Sequence, residues 1–172
     1  MTSSPAPNAG ADLGPTRVLF VCMGNICRSP TAEAVLRHHV SAHGLDELIE
    51  IDSAGTGGWH AGDEPDERAR AEASRRGIEM TGAARKVHLG DFEYFDLIVA
   101  MDESNMADLS DLAASDQHRQ KIRLLREFGP DGADDLDVPD PYFGGVDGFA
   151  DVFDLVDESC RGLLEHLRAD HQ

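Results

Sequence analysis

Regular patterning begins only after the first fifteen positions. Residues 1–15, rich in Ser, Pro, Ala and Gly, carry no periodicity and are expected to form a flexible tail ahead of one domain over 16–170. Residues 17–22 (RVLFVC) are apolar at every position after the arginine, a run of strand type and strand length. The spacing then turns helical over 29–42, where Ala32, Val35, Leu36, His39 and Val40 fall on one face. Further strands are predicted over 48–54 and 97–101 and a short fourth around 122–125, with helices over 66–76 and 103–113. The last helix is the clearest, because Phe149, Val152, Phe153, Val156, Cys160, Leu163, Leu164 and Leu167 trace one unbroken apolar stripe. No internal repeat or later linker interrupts the alternation. Strands apolar throughout, alternating with helices, predict an α/β domain whose four-stranded parallel sheet is covered on both faces. Ligands in such folds bind beyond the carboxyl ends of the strands. The loop after the first strand, in VCMGNICRSP at 21–30, is therefore the place to look for chemistry.

Composition narrows the setting. With 172 residues and 41% apolar content the chain can build one compact core. No stretch approaches the ~18 apolar residues of a membrane span, and the first residues lack a signal pattern. A cytosolic location is expected, where three cysteines stay reduced and make a poor disulfide framework. Fifteen Lys and Arg against 33 Asp and Glu give a formal charge of −18, which disfavours nucleic acid and anionic membranes. A local anion-binding site would stand out against that field.

Cys22 and Arg28 form the pattern C-x5-R. Gly24 and Asn25 tolerate the backbone angles needed to curl the intervening loop. Curled this way, the segment Met23, Gly24, Asn25, Ile26, Cys27, Arg28 and Ser29 turns its N–H groups inward. Ser29, a good cap, and Pro30 then open a helix whose positive end adds to an oxyanion cradle of phosphate size. Arg28 supplies a planar fork for two phosphate oxygens. Cys22, at the bottom of the same field, is favoured as a thiolate and so as a nucleophile toward phosphorus. Two plainer readings compete: small buried cysteines beside a surface arginine, or a zinc site. The latter lacks a matching His or Cys pair. The strand before the loop and the helix after it favour catalysis.

Cleaving a phosphate ester also requires a proton for the departing oxygen. Among Asp134, Asp135, Asp137 and Asp140, the last stands out in VPDPYFGG. Pro141 holds it extended, the glycines let the loop fold over a pocket, and Tyr142 and Phe143 could wall that pocket. An ordinary acidic turn is the alternative that this segment alone leaves open.

The stretches VLFVCMGNICRSPTAEAV, DSAGTGGWHAG, FDLIVAMDESNMADL and VPDPYFGG stand in the right order to resemble the low-molecular-weight protein tyrosine phosphatases, over essentially all of 16–168. The resemblance implies a single-domain Rossmann-like or flavodoxin-like sandwich with a four-stranded parallel sheet flanked by helices. It makes Cys22 the nucleophile that becomes phosphorylated, Arg28 the phosphate and transition-state binder, and Asp140 the general acid and then base. Ser29 would donate a hydrogen bond to the Cys22 thiolate, and Asn25 would hold the strained loop with help from Ser53. No metal or other cofactor is implied. The partners would be phosphotyrosine proteins or peptides, with phosphate or other oxyanions as product or inhibitor. Many relatives carry histidine where this chain has Gly82, so the hydrogen bonding around Asn25 must differ here.

The same fold serves arsenate reductases and arginine phosphatases. The thiol-relay reductases need a second cysteine pair, which is missing; Cys160 falls on the apolar stripe of the last helix. Arginine phosphatases carry threonine at the position of Ile26, whose apolar side chain suits an aromatic ring and cannot hydrogen-bond a guanidinium group. Trp59, the one tryptophan, resembles the aromatic residue that flanks the pocket in relatives, with core packing as its plainer role. Phosphotyrosine hydrolysis is thus expected, with phosphoarginine hydrolysis as the alternative. A binding module without catalysis would lack Cys22 or Asp140, and both are present. The resemblance further makes Cys27 a redox partner that traps oxidised Cys22 as a reversible disulfide.

Overall fold

The computed structural model describes residues 14–131, 134–142, 144 and 146–171. Four parallel strands, β1 (Thr16–Cys22), β2 (Ile49–Gly55), β3 (Leu97–Ala100) and β4 (Ile122–Leu124), lie in the order β2-β1-β3-β4. The register runs from Thr16 opposite Ile49 to Cys22 opposite Gly55, and from Val18 opposite Leu97 to Val21 opposite Ala100. A 3-10 turn, Leu125–Phe128, follows β4. The long helices are α1 (Arg28–Ala42), α2 (Glu67–Arg75), α4 (Glu103–Leu112) and α6 (Val146–Ala169); α3 (Asp91–Tyr94) and α5 (Asp116–Arg119) are single turns.

β1 is central, so both of its faces are covered, and this is why its sequence is continuous rather than alternating. Val18, Phe20 and Cys22 face a core built with Val35, Leu36 and Val40 of α1 and Val152, Phe153, Val156, Cys160, Leu163 and Leu164 of α6. Leu19 and Val21 face the opposite core, with Phe92, Ile98, Ala100 and Leu109. Each large side chain so buried contributes about 1.5–3 kcal/mol. The stripe read from the sequence is therefore the buried seam of α6. Cys160 lies in that seam, where burial raises its thiol pKa.

The main predicted elements form, with shifted ends. α1 starts at Arg28, with Cys27 as its N-cap and no side-chain cap, so Ser29 lies inside the first turn instead of capping it. Asp66 caps α2 by accepting from Arg68 N. The one-turn helices α3 and α5 are absent from the sequence reading because four residues are too few to show a 3.6-residue period. From β1 the chain winds to β2 on one side and to β3 on the other. The crevice beyond the ends of β1 and β3 is thus the topological switch point, where open α/β sheets bind ligands.

Candidate active site

Between Cys22 at the end of β1 and Arg28 at the start of α1 the chain must reverse within five residues. Asn25 provides the turn, with φ of 58° in the left-handed region that asparagine tolerates better than most residues. Gly24, expected to share that task, does not adopt a positive φ. Its missing side chain makes room instead, since a Cβ there would lie 3.1 Å from the His60 ring.

The Asn25 side chain is saturated behind the loop. Its Nδ2 donates to Ser29 Oγ at 2.8 Å and to Ser53 Oγ at 3.0 Å, and its Oδ1 accepts from Arg85 N at 3.0 Å. The Ser53 hydroxyl in turn donates to Glu33 Oε1 at 2.6 Å. Ser29 Oγ, already accepting from Asn25, directs its proton to Cys22 Sγ at 3.0 Å or to Ala54 O at 3.4 Å. Asn25 N also donates to Cys22 Sγ, at 3.3 Å. The Ser29 hydroxyl and the Asn25 N–H thus both lie against the Cys22 sulfur. Gly82 lies in a small recess with Asn25, Glu33 and Ser53, at φ 103° and with open space where a Cβ would be. The asparagine is held without any side chain at that position.

Arg28 is 3% exposed yet fully engaged. Its Nη1 donates to Asp102 Oδ2 at 2.6 Å and to Val138 O at 3.0 Å, and its Nη2 stands 3.6 Å from Asp140 Oδ2. Burial alone would lower its pKa; Cys22, Asp102 and Asp140 outweigh that and hold it above the ordinary arginine range. Asp102 was not singled out in the sequence. It sits just beyond β3 and caps α4, its Oδ1 accepting from Asn105 N at 2.7 Å. A capping aspartate at the carboxyl end of a strand beside the switch point was the available signal.

Cys22, Met23, Gly24, Ile26, Cys27 and Arg28 line one side of a cleft of about 130 Å³. Trp59, His60, Asp140 and Tyr142 line the other. Trp59 is 75% exposed, so it is a wall of the mouth and not core. Its ring lies across Gly57, where any Cβ would collide with it. His60, missed in the sequence although it follows Trp59, lies with its ring 6.2 Å from that of Tyr142. Asn25, Ser29 and Ser53 are buried behind the cleft rather than on it. Phe143, the remaining expected wall, lies outside the described residues, as do residues 1–13 of the expected tail.

The two loop cysteines differ in character. Burial first, then the nearby charges of Asp66, Cys22 and Asp140, push the Cys27 thiol far up, leaving it protonated at neutral pH. Both cysteines are free thiols. Among the described residues, no group of three or more His, Cys, Asp or Glu is placed to hold a metal ion. A thiol at the base of the cleft, a guanidinium beside it and a carboxyl at its rim are the groups that acid-assisted transfer of a phosphoryl group to sulfur requires.

Comparison with known proteins agrees with this arrangement. The family described as "Low molecular weight phosphotyrosine protein phosphatase" matches residues 17–172. A low molecular weight protein-tyrosine-phosphatase of Streptomyces coelicolor is 48% identical over 153 residues, covering 88% of this chain and 93% of its own. The crystal structure of a protein tyrosine phosphatase from Entamoeba histolytica, with Hepes in its active site, superposes with a TM-score of 0.86 at 39% identity, covering 91% of this chain and 99% of its own. A drosophila arginine phosphatase superposes with a TM-score of 0.81 at 38% identity, covering 87% and 96%.

Proposed function

Because the chain belongs to the low molecular weight phosphotyrosine protein phosphatase family, we propose that it hydrolyses phosphotyrosine in proteins or peptides at the loop joining β1 to α1. The carrying observation is that Cys22, Arg28 and Asp140, the last far away in sequence, line one cleft at the topological switch point.

The phosphate dianion enters the loop, held by its inward N–H groups, the uncapped start of α1 and the Arg28 guanidinium. Asp102 and Val138 fix one arm of Arg28 and so aim the other toward the cleft. The Cys22 sulfur attacks phosphorus in line: an S–P bond forms and the P–O bond to tyrosine breaks. Protonated Asp140 gives its proton to the departing phenolate oxygen. As a carboxylate it then removes a proton from water, whose oxygen attacks phosphorus. The S–P bond breaks, inorganic phosphate forms, and the sulfur leaves with its electron pair, stabilised by the Ser29 hydroxyl and Asn25 N–H. No step calls for a metal or redox cofactor.

Ile26, Trp59 and Tyr142 give the cleft apolar and aromatic walls suited to a phenyl ring. Ile26 offers nothing that could hydrogen-bond a guanidinium group, which favours phosphotyrosine over phosphoarginine. Cys27, the next cysteine along the loop, would trap a Cys22 sulfenic acid: its sulfur attacks the sulfenic sulfur, and its thiol proton leaves with the sulfenic hydroxyl as water, a step that the burial keeping Cys27 protonated slows. The acidic surface favours neither nucleic acid nor anionic membrane as partner, which suits a cytoplasmic enzyme with its catalytic domain over 16–170.

The test is phosphate release from a phosphotyrosine peptide and a phosphoarginine peptide, with the wild type and Cys22→Ser. Preference for phosphotyrosine and loss of turnover in the variant are expected. Preference for phosphoarginine would overturn the reading of Ile26, and activity surviving in Cys22→Ser would remove the loop as reaction centre.

A further inference from the structure

The segment bearing Asp140 has no regular secondary structure of its own, so side chains from elsewhere must hold it. One end is tied by Val138, whose N–H donates to Met101 O at 2.8 Å and whose carbonyl accepts from Arg28. The other end is tied by Arg68, in the first turn of α2. Arg68 Nη2 donates to Tyr142 O at 3.0 Å, and the guanidinium lies 5.6 Å from the Tyr142 ring centroid and 4.6 Å from that of Phe149. The same guanidinium grips Asp66 with both arms, Nε to Oδ1 at 3.1 Å and Nη2 to Oδ2 at 3.0 Å. Asp66 N in turn donates to Ile26 O of the phosphate loop, at 2.8 Å. On the far side of Arg68, Tyr142 N donates to Asp140 Oδ1 at 3.0 Å. This leaves Oδ2 as the oxygen turned toward Arg28.

We propose that Arg68 is a positioning residue for the general acid: through Asp66 and Tyr142 it fixes Asp140 relative to the phosphate loop. The proposal rests on the assignment of Asp140 as that acid. The two ends of the reaction centre, one delivering electrons to phosphorus and one a proton to the leaving oxygen, are spaced by a path of short contacts. Its only long side chain is that of Arg68. A planar fork can bridge a carboxylate and a carbonyl at once, whereas an ammonium cannot reproduce that geometry. Displacement of about 1 Å at such a position is costly for proton transfer and harmless to phosphate binding.

The experiment measures kcat/KM of Arg68→Met and Arg68→Lys with phosphotyrosine, whose phenol leaves poorly, and with p-nitrophenyl phosphate, whose phenol leaves well. Vanadate inhibition is measured alongside, and the series is repeated in an Asp140→Asn background. A positioned acid contributes roughly 10²–10⁴-fold, so losing its alignment should lower kcat/KM for phosphotyrosine by about tenfold. The loss with p-nitrophenyl phosphate should stay within about threefold, with vanadate inhibition unchanged and no added loss when Asp140 is already Asn. Equal losses on both substrates, weakened vanadate binding, or a loss persisting in Asp140→Asn would overturn the proposal. If Asp140→Asn alone shows the dependence on leaving group and the Arg68 variants do not, only the role of Arg68 fails. If Asp140→Asn lacks that dependence, the acid assignment fails and takes the proposal with it. Arg68→Lys keeps the cation beside Asp66, so the test stands even where Arg68→Met does not fold.

Discussion

At Asn25 two demands meet in one residue: a left-handed backbone and four hydrogen bonds, from its N–H and its amide side chain, that organise Cys22, Ser29, Ser53 and Arg85. They separate by substitution. Asn25→Gly keeps the backbone freedom and loses the side chain, whereas Asn25→Ala loses the side chain and adds left-handed strain of roughly 1–2 kcal/mol. Both variants should lose kcat/KM for phosphotyrosine, and Asn25→Ala should in addition unfold at lower urea concentration than Asn25→Gly. Equal midpoints would mean the backbone at 25 relaxes without cost. The placement of Cys22 and Arg28 in one cleft was legible in the sequence because strand, C-x5-R and helix are contiguous there. Asp102, His60 and Arg68 were not, because each acts across a long sequence separation on a partner that only the folded chain brings near.

Among elements, α6 was the easiest to read and also the most consequential. It lays its apolar seam on β1 and α1, directly beneath the catalytic loop. Its polar edge adds one cross-helix pair: His39 Nε2 of α1 and Asp157 Oδ1 of α6 meet at 2.7 Å, with Arg161 Nε on the other carboxylate oxygen at 3.0 Å. Partial burial alone would raise the Asp157 pKa; hydrogen bonds from His39 and Arg161 outweigh it and bring the value below the ordinary 3.8. A carboxyl depressed in the folded state binds its proton more readily when unfolded, so its stabilisation is complete above pH 3.8 and fades as pH falls through its folded value. Urea unfolding followed from pH 6 to pH 3 should therefore show a shallower acid loss in Asp157→Asn than in the wild type. Parallel acid profiles would mean the pair contributes nothing specific. The helix boundaries, by contrast, were misjudged where local chemistry was diverted: Ser29 has the composition of a cap but spends its hydroxyl on Cys22.

Over the whole molecule, the formal charge of −18 surrounds the site proposed to take an anion. Arg28 and the loop N–H groups act at contact distance, while the global field acts on whatever flanks the phosphate. A phosphotyrosine peptide flanked by Lys and Arg should accordingly bind better at low salt. Its KM should rise at least about threefold as the Debye length shrinks from ~30 Å to ~8 Å, and an acid-flanked peptide should move the opposite way. Salt responses independent of peptide charge would show that the field does not reach the mouth. Fold class follows from the run of apolar strands and intervening helices, since a central parallel strand must be apolar on both faces and β1 is; the order β2-β1-β3-β4 is set by tertiary pairing and is not written in that run. What the linear pattern could not carry is the distance between the Asp140 segment and the loop after β1, which side chains set.

The strand order also bears on how the enzyme is made. β1 is synthesised first, yet it is paired by β3, residues 97–100, and covered by α6 as far as Leu167. A nascent chain emerging from the ribosome thus holds the complete C-x5-R loop long before it has the sheet and helix that give the loop its shape. Phosphatase activity should appear only once α6 has emerged and packed, never while the loop stands on β1 alone.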